Sequence, residues 1–312
     1  MASRSGVGVI ARLSRLLVAL GIALAACSGN ATTTTMADGT PTPTTEPVTT
    51  TKTVAPATNV TTTTNATSTT VGSPPTTIAQ PPPADGTEVL VPEGDGPFPT
   101  AVLVHGGGWV IGSPAIMRSL AKFLTANGYL TVNTPYTLAG QSPGFPAAVN
   151  DVACAADYAA ARSDGDGTVV VIGHSAGAHI SALVALDPGT YGQDCPYAHV
   201  VPDRLIGLAG PYDVSRLGPL MIPFFGGDPG EAPEAWRAGD PFNFVDENPS
   251  LDTLLMSGDE DALVDLTFAE DFAEALEATG KPVQVEVVEG ARHDDMHDPD
   301  FVGDLILAWL QR

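Results

Sequence analysis

The sequence predicts an α/β fold: a mostly parallel central sheet with helices on both faces. Two observations carry this. Short apolar runs alternate with helical patterns throughout residues 85–312. One run, "VVVIGHSAGAHI" (169–180), passes from a strand pattern to a helical one across a single glycine-serine-glycine turn. Strands that alternate with helices imply parallel strands joined by crossovers.

The strand candidates are 87–91 (TEVLV), 100–104 (TAVLV), 129–133 (YLTVN), 168–172, 203–208 (DRLIGL), 252–256 and 283–288 (VQVEVV). Helical patterns lie near 115–127, 147–162, 176–187, 266–279 and 300–311. Val169 to Ile172 form an unbroken apolar run, as in a strand buried on both faces. From Ala176 onward, Ala178, Ser181, Ala182 and Ala185 recur at helical spacing. A strand that turns at once into a helix forces its apex residue into a strained backbone. Side chains two positions either side would collide, so Gly173 and Gly177 are required. Ser175 is then pushed out above the helix N-terminus, which is the nucleophile-elbow pattern G-x-S-x-G.

Residues before 85 have a different composition. Residues 1–27 read as a targeting segment, with Arg4, Arg12 and Arg15 ahead of the apolar stretch Leu16 to Ala26. That stretch is too short to span a bilayer comfortably. It ends in Leu24-Ala25-Ala26-Cys27, which resembles the lipobox of bacterial lipoproteins. The resemblance implies that Cys27 is lipidated and becomes the new N-terminus. Residues 28–84 are dominated by Thr, Pro and Ala and lack an apolar period, so they are expected to be a disordered tether. Such a chain spans about 40 Å root-mean-square. The expected organisation is therefore a 1–27 lipoprotein signal peptide, a 28–84 tether and an 85–312 catalytic domain. The expected location is extracytoplasmic, with the lipid as the only membrane attachment.

The chain carries a formal net charge of −23, from 13 basic and 36 acidic residues. Four of the basic and two of the acidic residues precede residue 85, so the remainder carries −25. Such a surface repels nucleic acid and anionic lipid. It says little about a small neutral substrate. With Cys27 set aside, Cys154 and Cys195 remain, an even pair that in an extracytoplasmic protein reads as a disulfide or as two buried thiols. No Cys/His spacing points to a metal, and the sequence has neither a P-loop nor a dinucleotide fingerprint, so no cofactor is expected.

Chemistry in parallel sheets gathers at the carboxyl ends of the strands. After 100–104 comes His105-Gly106-Gly107-Gly108-Trp109. Its glycines let backbone N–H groups face a cavity. A tetrahedral acyl intermediate needs such donors for its oxyanion, and each contributes about 3 kcal/mol to lowering the barrier. Gly107, Gly108 and Ala176 are the candidate donors. His105 is expected to shape this loop.

"HGGGW" and "GHSAGAH" together resemble the α/β-hydrolase family, in its esterase branch. That branch includes hormone-sensitive-lipase-like esterases, bacterial carbohydrate esterases and arylformamidases. The resemblance spans most of 85–312. Many hormone-sensitive-lipase-like members read G-D-S-A-G-G, whereas His174 and Ala178 stand at the variable places here, which shifts the likeness toward the other two groups. Little sequence precedes the first core strand, so little or no N-terminal cap is expected. The resemblance implies the chain order nucleophile, acid, base. It puts the base in a loop after the last strand, where "VVEGARHDDMH" offers His293 ahead of His297. His179 and His199 are less well placed. The family pattern G-x-x-D-x-x-V is matched by Gly258, Asp261 and Val264, with Asp259 and Asp265 as nearby solvated charges. Asp213, after the preceding strand, is the other place where some lipases carry the acid. Trp109 walls the substrate pocket or serves the core. The apolar stretch 220–229 (LMIPFFGGDP) forms a small lid or acyl pocket, or packs beneath a surface loop.

These readings lead to one expectation: a serine hydrolase that cleaves short-acyl carboxylic esters through Ser175, His293 and Asp261 and an acyl-enzyme. The alternatives are an arylformamidase-like amidase and a non-catalytic surface protein that only binds a ligand.

Overall fold

A computed structural model describes residues 82–140, 144–187 and 189–312. The expected signal segment with Cys27, and nearly all of the expected tether, lie outside the described residues.

Seven strands form one sheet: β1 (Glu88–Leu90), β2 (Phe98–Val104), β3 (Leu130–Thr134), β4 (Gly165–His174), β5 (Arg204–Leu208), β6 (Asp252–Gly258) and β7 (Val283–Val288). Their order is β1-β3-β2-β4-β5-β6-β7. β1 is antiparallel to β3, and every other neighbouring pair is parallel. The chain runs outward from β2 to β3 and then crosses back past β2 to β4. The carboxyl ends of β2 and β4 thus flank a switch point, the place where such sheets open a crevice. "HGGGW" follows β2 and Ser175 follows β4.

The main helices are α1 (Arg118–Ala126), α2 (Ala147–Ala160), α3 (Ala176–Leu186), α7 (Thr267–Glu277) and α8 (Pro299–Leu310). Alternate residues of each central strand feed opposite faces. Val102, Val104, Val169 and Val171 pack with Val149 of α2, Leu183 of α3 and Phe272 of α7. Ala101, Leu103, Val170 and Ile172 pack with Leu120 and Leu124 of α1 and Ile306 of α8. Burying each such Val, Leu or Ile stabilises the fold by about 1.5–3 kcal/mol. Among the described residues, no helix is long and apolar enough to cross a membrane.

Two features differ from the sequence reading. The pattern at 115–127 splits into a 3-10 turn, Pro114–Ile116, and α1. The segment between β5 and β6 is also more ordered than a loop. It holds three short helices, α4 (Val214–Leu217), α5 (Ile222–Phe225) and α6 (Pro233–Ala238), and two 3-10 turns, Gly218–Met221 and Pro241–Phe244. Pro219, Pro223, Pro233 and Pro241 stand in the first turns of four of these pieces. Proline lacks an N–H, and the first turn of a helix has no acceptor for one, so the residues that looked like loop punctuation are helix starts.

Cys154 of α2 and Cys195 are joined by a disulfide. Asp157, one turn further along α2, accepts from Val200 N–H at 2.8 Å and lies 3.4 Å from His199 Nδ1. Bridge and carboxylate together fasten the stretch after α3 to α2.

Candidate active site

The turn between β4 and α3 sets the geometry. Ser175 has φ 53° and ψ −121°, a region that L-residues rarely adopt. A Cβ on Gly173 would lie 2.3 Å from the Gly177 carbonyl oxygen. One on Gly177 would lie 2.3 Å from the carbonyl oxygen of Val104. The first glycine lets the turn close on itself; the second lets α3 press against the end of β2. Ser175 N–H donates to Leu208 O at 2.8 Å, which ties the turn to the end of β5.

His293 opens the 3-10 turn His293–His297 after β7. Its Nε2 lies 2.9 Å from Ser175 Oγ and its Nδ1 lies 2.8 Å from Asp261 Oδ2. A carboxylate accepts only, so Nδ1 carries the hydrogen and Nε2 is left to accept the serine hydroxyl proton. Asp261 follows β6, and its other oxygen accepts from Leu263 N–H at 2.8 Å and Val264 N–H at 2.9 Å. Its side chain has 0% exposure, against 11% for His293. Water is thereby kept from the carboxylate while the imidazole edge faces the serine.

The rival residues are occupied elsewhere. Asp213 caps α4, accepting from Ser215 and Arg216 N–H. Asp265 accepts from Arg216 and Thr267. Asp259 is more than a solvated charge: it accepts from Gly290 N–H at 2.7 Å and braces the loop that carries His293. The His297 ring packs edge-on against His174, with centroids 5.0 Å apart, and His199 sits beside Asp157.

The glycine loop lies against the elbow. A Cβ on Gly106 would come within 2.7 Å of His174 Nδ1 and 3.1 Å of Ser175 Cβ. Gly107, Gly108 and Trp109 have φ of 124°, 58° and 63°, so the chain coils left-handed through three residues. A Cβ on Gly107 would lie 2.0 Å from Ile111 O, so only glycine fits there. Among the described residues, no carbonyl accepts from the N–H of Gly107, Gly108 or Ala176. The Ala176 group also stands at the positive end of α3. His105 turns its ring back onto Gly106 O at 2.7 Å and stacks on Tyr136.

Trp109 takes the core role more than the pocket role. Its side chain is 5% exposed and packs on Phe224 of α5, with centroids 5.8 Å apart. Its indole N–H donates to His179 Nδ1 at 3.3 Å, and His179 Nε2–H donates to Gly239 O at 2.8 Å. Burial pushes the His179 pKa down to about 4, in keeping with a neutral ring that both donates and accepts. Phe224 and Phe225, from the 220–229 stretch, turn inward.

Two polar residues escaped the sequence reading. His174 stands beside the nucleophile candidate, and its occurrence at a variable motif position was the available signal. Asp240 caps the turn Pro241–Phe244, accepting from Phe242 N–H at 3.1 Å. Burial, with the nearby Asp213 charge adding to it, pushes its pKa up to about 6. Among the described residues, no three His, Cys, Asp or Glu side chains gather as metal ligands would.

The chain matches the family model BD-FAE over residues 88–276. It is 30% identical over 202 residues to Esterase LipC of Mycobacterium tuberculosis, a match covering 59% of this chain and 50% of LipC. The chain thus spans about half the length of that curated relative. Among solved structures, a carbohydrate esterase from gut microbiota superposes with a TM-score of 0.62 at 19% identity, covering 72% of this chain and 90% of that one. A thermophilic esterase of Thermogutta terrifontis superposes with 0.56 at 21% identity, covering 72% and 86%. Those two likenesses show the α/β-hydrolase fold. The family match takes in the glycine loop, Ser175 and Asp261, and by it the chain belongs to the BD-FAE family.

Proposed function

We propose that the protein is a serine carboxylic ester hydrolase for small-acyl esters, working through Ser175, His293, Asp261 and an acyl-enzyme. The carrying observation is the pair of contacts that His293 makes, 2.9 Å to Ser175 Oγ and 2.8 Å to Asp261 Oδ2. A serine hydroxyl is a weak nucleophile near neutral pH and needs a base oriented by a carboxylate. In this reading Ser175 Oγ attacks the ester carbonyl as its proton passes to His293 Nε2. The N–H groups of Gly107, Gly108 and Ala176 receive the oxyanion. The imidazolium returns the proton to the departing alkoxide, and water repeats the cycle on the acyl-enzyme to release the acid. Family membership and the likeness to LipC support the ester bond as the target. A hydrogen-bonded Ser-His-Asp chain also argues against a mere binding protein, which needs no activated serine.

Short acyl groups are favoured because the large apolar side chains near the glycine loop are used on one another. Trp109, Phe224 and Phe225 are 5%, 1% and 5% exposed and pack on one another. The net charge of the chain disfavours anionic substrates in a salt-dependent way. The proposal extends to organisation and place: a lipoprotein signal at 1–27, a lipid on Cys27, a tether at 28–84 and a catalytic domain at 85–312 held outside the cytoplasmic membrane. Support for this part is the sequence pattern alone.

The test is kcat/KM on aryl acetate, butyrate, octanoate and decanoate beside N-formylkynurenine. Highest values on acetate or butyrate, lost in Ser175→Ala, are expected. Activity rising to decanoate refutes the short-acyl reading, and a large preference for the formyl amide moves the chain to the amidases. Release of the protein from the membrane fraction by Cys27→Ser tests the anchor.

A further inference from the structure

We propose that His174 is a positioning residue for ester hydrolysis: by donating from Nε2 to the main-chain carbonyl of His293, it holds the base in register with the serine. This rests on the reading of Ser175 and His293 as nucleophile and base.

His174 is the last residue of β4 and is chain neighbour to Ser175. It is 3% exposed. Its Nε2 lies 3.0 Å from His293 O, a contact across 119 positions. A carbonyl oxygen only accepts, so Nε2 carries the hydrogen. Nδ1 has no hydrogen-bond partner among the described residues. It faces Gly106, where even a methyl group would come within 2.7 Å. A second ring hydrogen there would be a buried donor with nothing to receive it, which is costly. The titratable groups facing the ring are His293 and His297, each with its centroid 5.0 Å away, and His105. Burial first, and then the positive forms of these neighbours, hold the His174 pKa well below its ordinary value. One uncharged imidazole thus touches the glycine loop, the elbow and the base loop. It stays uncharged while His293 takes up a proton in each turnover.

The base depends on this tie because His293 sits in a loop beyond the sheet. Asp259 braces that loop at Gly290, three residues before the base. His174 acts on His293 itself and anchors it to the residue next to the nucleophile. A displacement of about 1 Å between reacting groups costs about 100-fold in rate.

The test compares His174→Gln with His174→Met in the full-length chain. Glutamine can bring an amide N–H near the Nε2 position; methionine has similar length and no donor. Turnover of aryl acetate is measured and normalised to sites titrated with a fluorophosphonate. His174→Met should lower kcat about 10- to 100-fold with KM changed by less than about twofold. His174→Gln should restore kcat to within about fivefold of wild type. Equal behaviour of the two variants, or a wild-type kcat in His174→Met, overturns the inference. Nitrogen-15 NMR of the wild-type imidazoles needs no variant and decides the matter if His174→Met does not fold. An uncharged Nε2–H tautomer is expected, and a charged ring or an Nδ1–H tautomer overturns it. Hydrolysis that survives Ser175→Ala instead overturns the reading of the site itself.

Discussion

His293 Nε2 stands 2.9 Å from Ser175 Oγ although 118 positions separate the two residues. The contact follows from sheet order. β4 and β7 are separated by β5 and β6 and all four run parallel, so the loops after them open at one end. Asp261, after β6, lies between them in sequence and reaches His293 from the far side.

Asp261→Asn should reduce kcat by about 10⁴-fold, with little change in stability. The amide still accepts from Leu263 and Val264, but its NH₂ meets His293 Nδ1 and favours the wrong tautomer. Asp213→Asn should stay within about threefold of wild type, since Asp213 serves as a helix cap, a role asparagine fills as well. Steady-state rates on an aryl acetate decide between them. A near-normal Asp261→Asn with an inactive Asp213→Asn would move the acid to the earlier strand.

Gly177→Ala should both destabilise and disable the protein. The new Cβ would meet Val104 O at 2.3 Å and His105 O at 2.5 Å, and both are backbone atoms that cannot swing aside. α3 must back away from β2, taking the Ala176 N–H with it. Overpacking of this kind costs about 1–3 kcal/mol. Urea unfolding and kcat should fall together; loss of neither would mean that the close approach of α3 and β2 is misjudged.

Asp240 should make stability depend on pH. Its folded pKa, about 6, lies above the ordinary carboxyl value, so the folded state holds the extra proton between the two. The stability this group contributes is complete below about pH 4 and is lost as pH rises through about 6. Asp240→Asn keeps the cap on Phe242 N–H and removes the charge. It should raise unfolding free energy by about 1 kcal/mol near pH 7, a figure discounted for partial solvent screening, and by nothing near pH 4. A variant with the same stability difference at both pH values would contradict this.

The Cys154–Cys195 bridge closes a separation of 41 residues. In the chain-entropy model such a loop contributes about 3–4 kcal/mol. Replacing both cysteines by serine should lower stability by that order and leave kcat close to wild type, because neither cysteine is hydrogen-bonded to Ser175, His293 or Asp261. Unfolding curves with and without the bridge test it, and an unchanged midpoint would remove the assignment.

Local rules in the sequence point to one part of the proposed site. Ser175 is marked by two glycines and a change of hydrophobic period, whereas Asp261 and His293 come from the resemblance to the α/β-hydrolase esterases, through its chain order and its G-x-x-D-x-x-V pattern. Parts that depend on which loops meet in space were hidden. Nothing local says that the loop after β7 lands on the end of β4, so His174 bore only on which esterase group the motif resembles. Trp109 read equally well as pocket or core. Its φ of 63° turns the backbone so that the indole enters the aromatic cluster. The pieces between β5 and β6 were obscured because proline and glycine mark loops and short-helix ends alike, as Pro223 and Gly226 do at the two ends of α5.

The central claim is that Ser175 is the activated nucleophile. The most direct measurement is peptide mapping by mass spectrometry after treating the full-length chain with a fluorophosphonate. The account predicts one phosphonyl group per chain, on Ser175, absent from Ser175→Ala and formed much more slowly in Asp261→Asn. A chain that stays unlabelled under conditions where it hydrolyses aryl acetate, or one labelled at another residue, would contradict it.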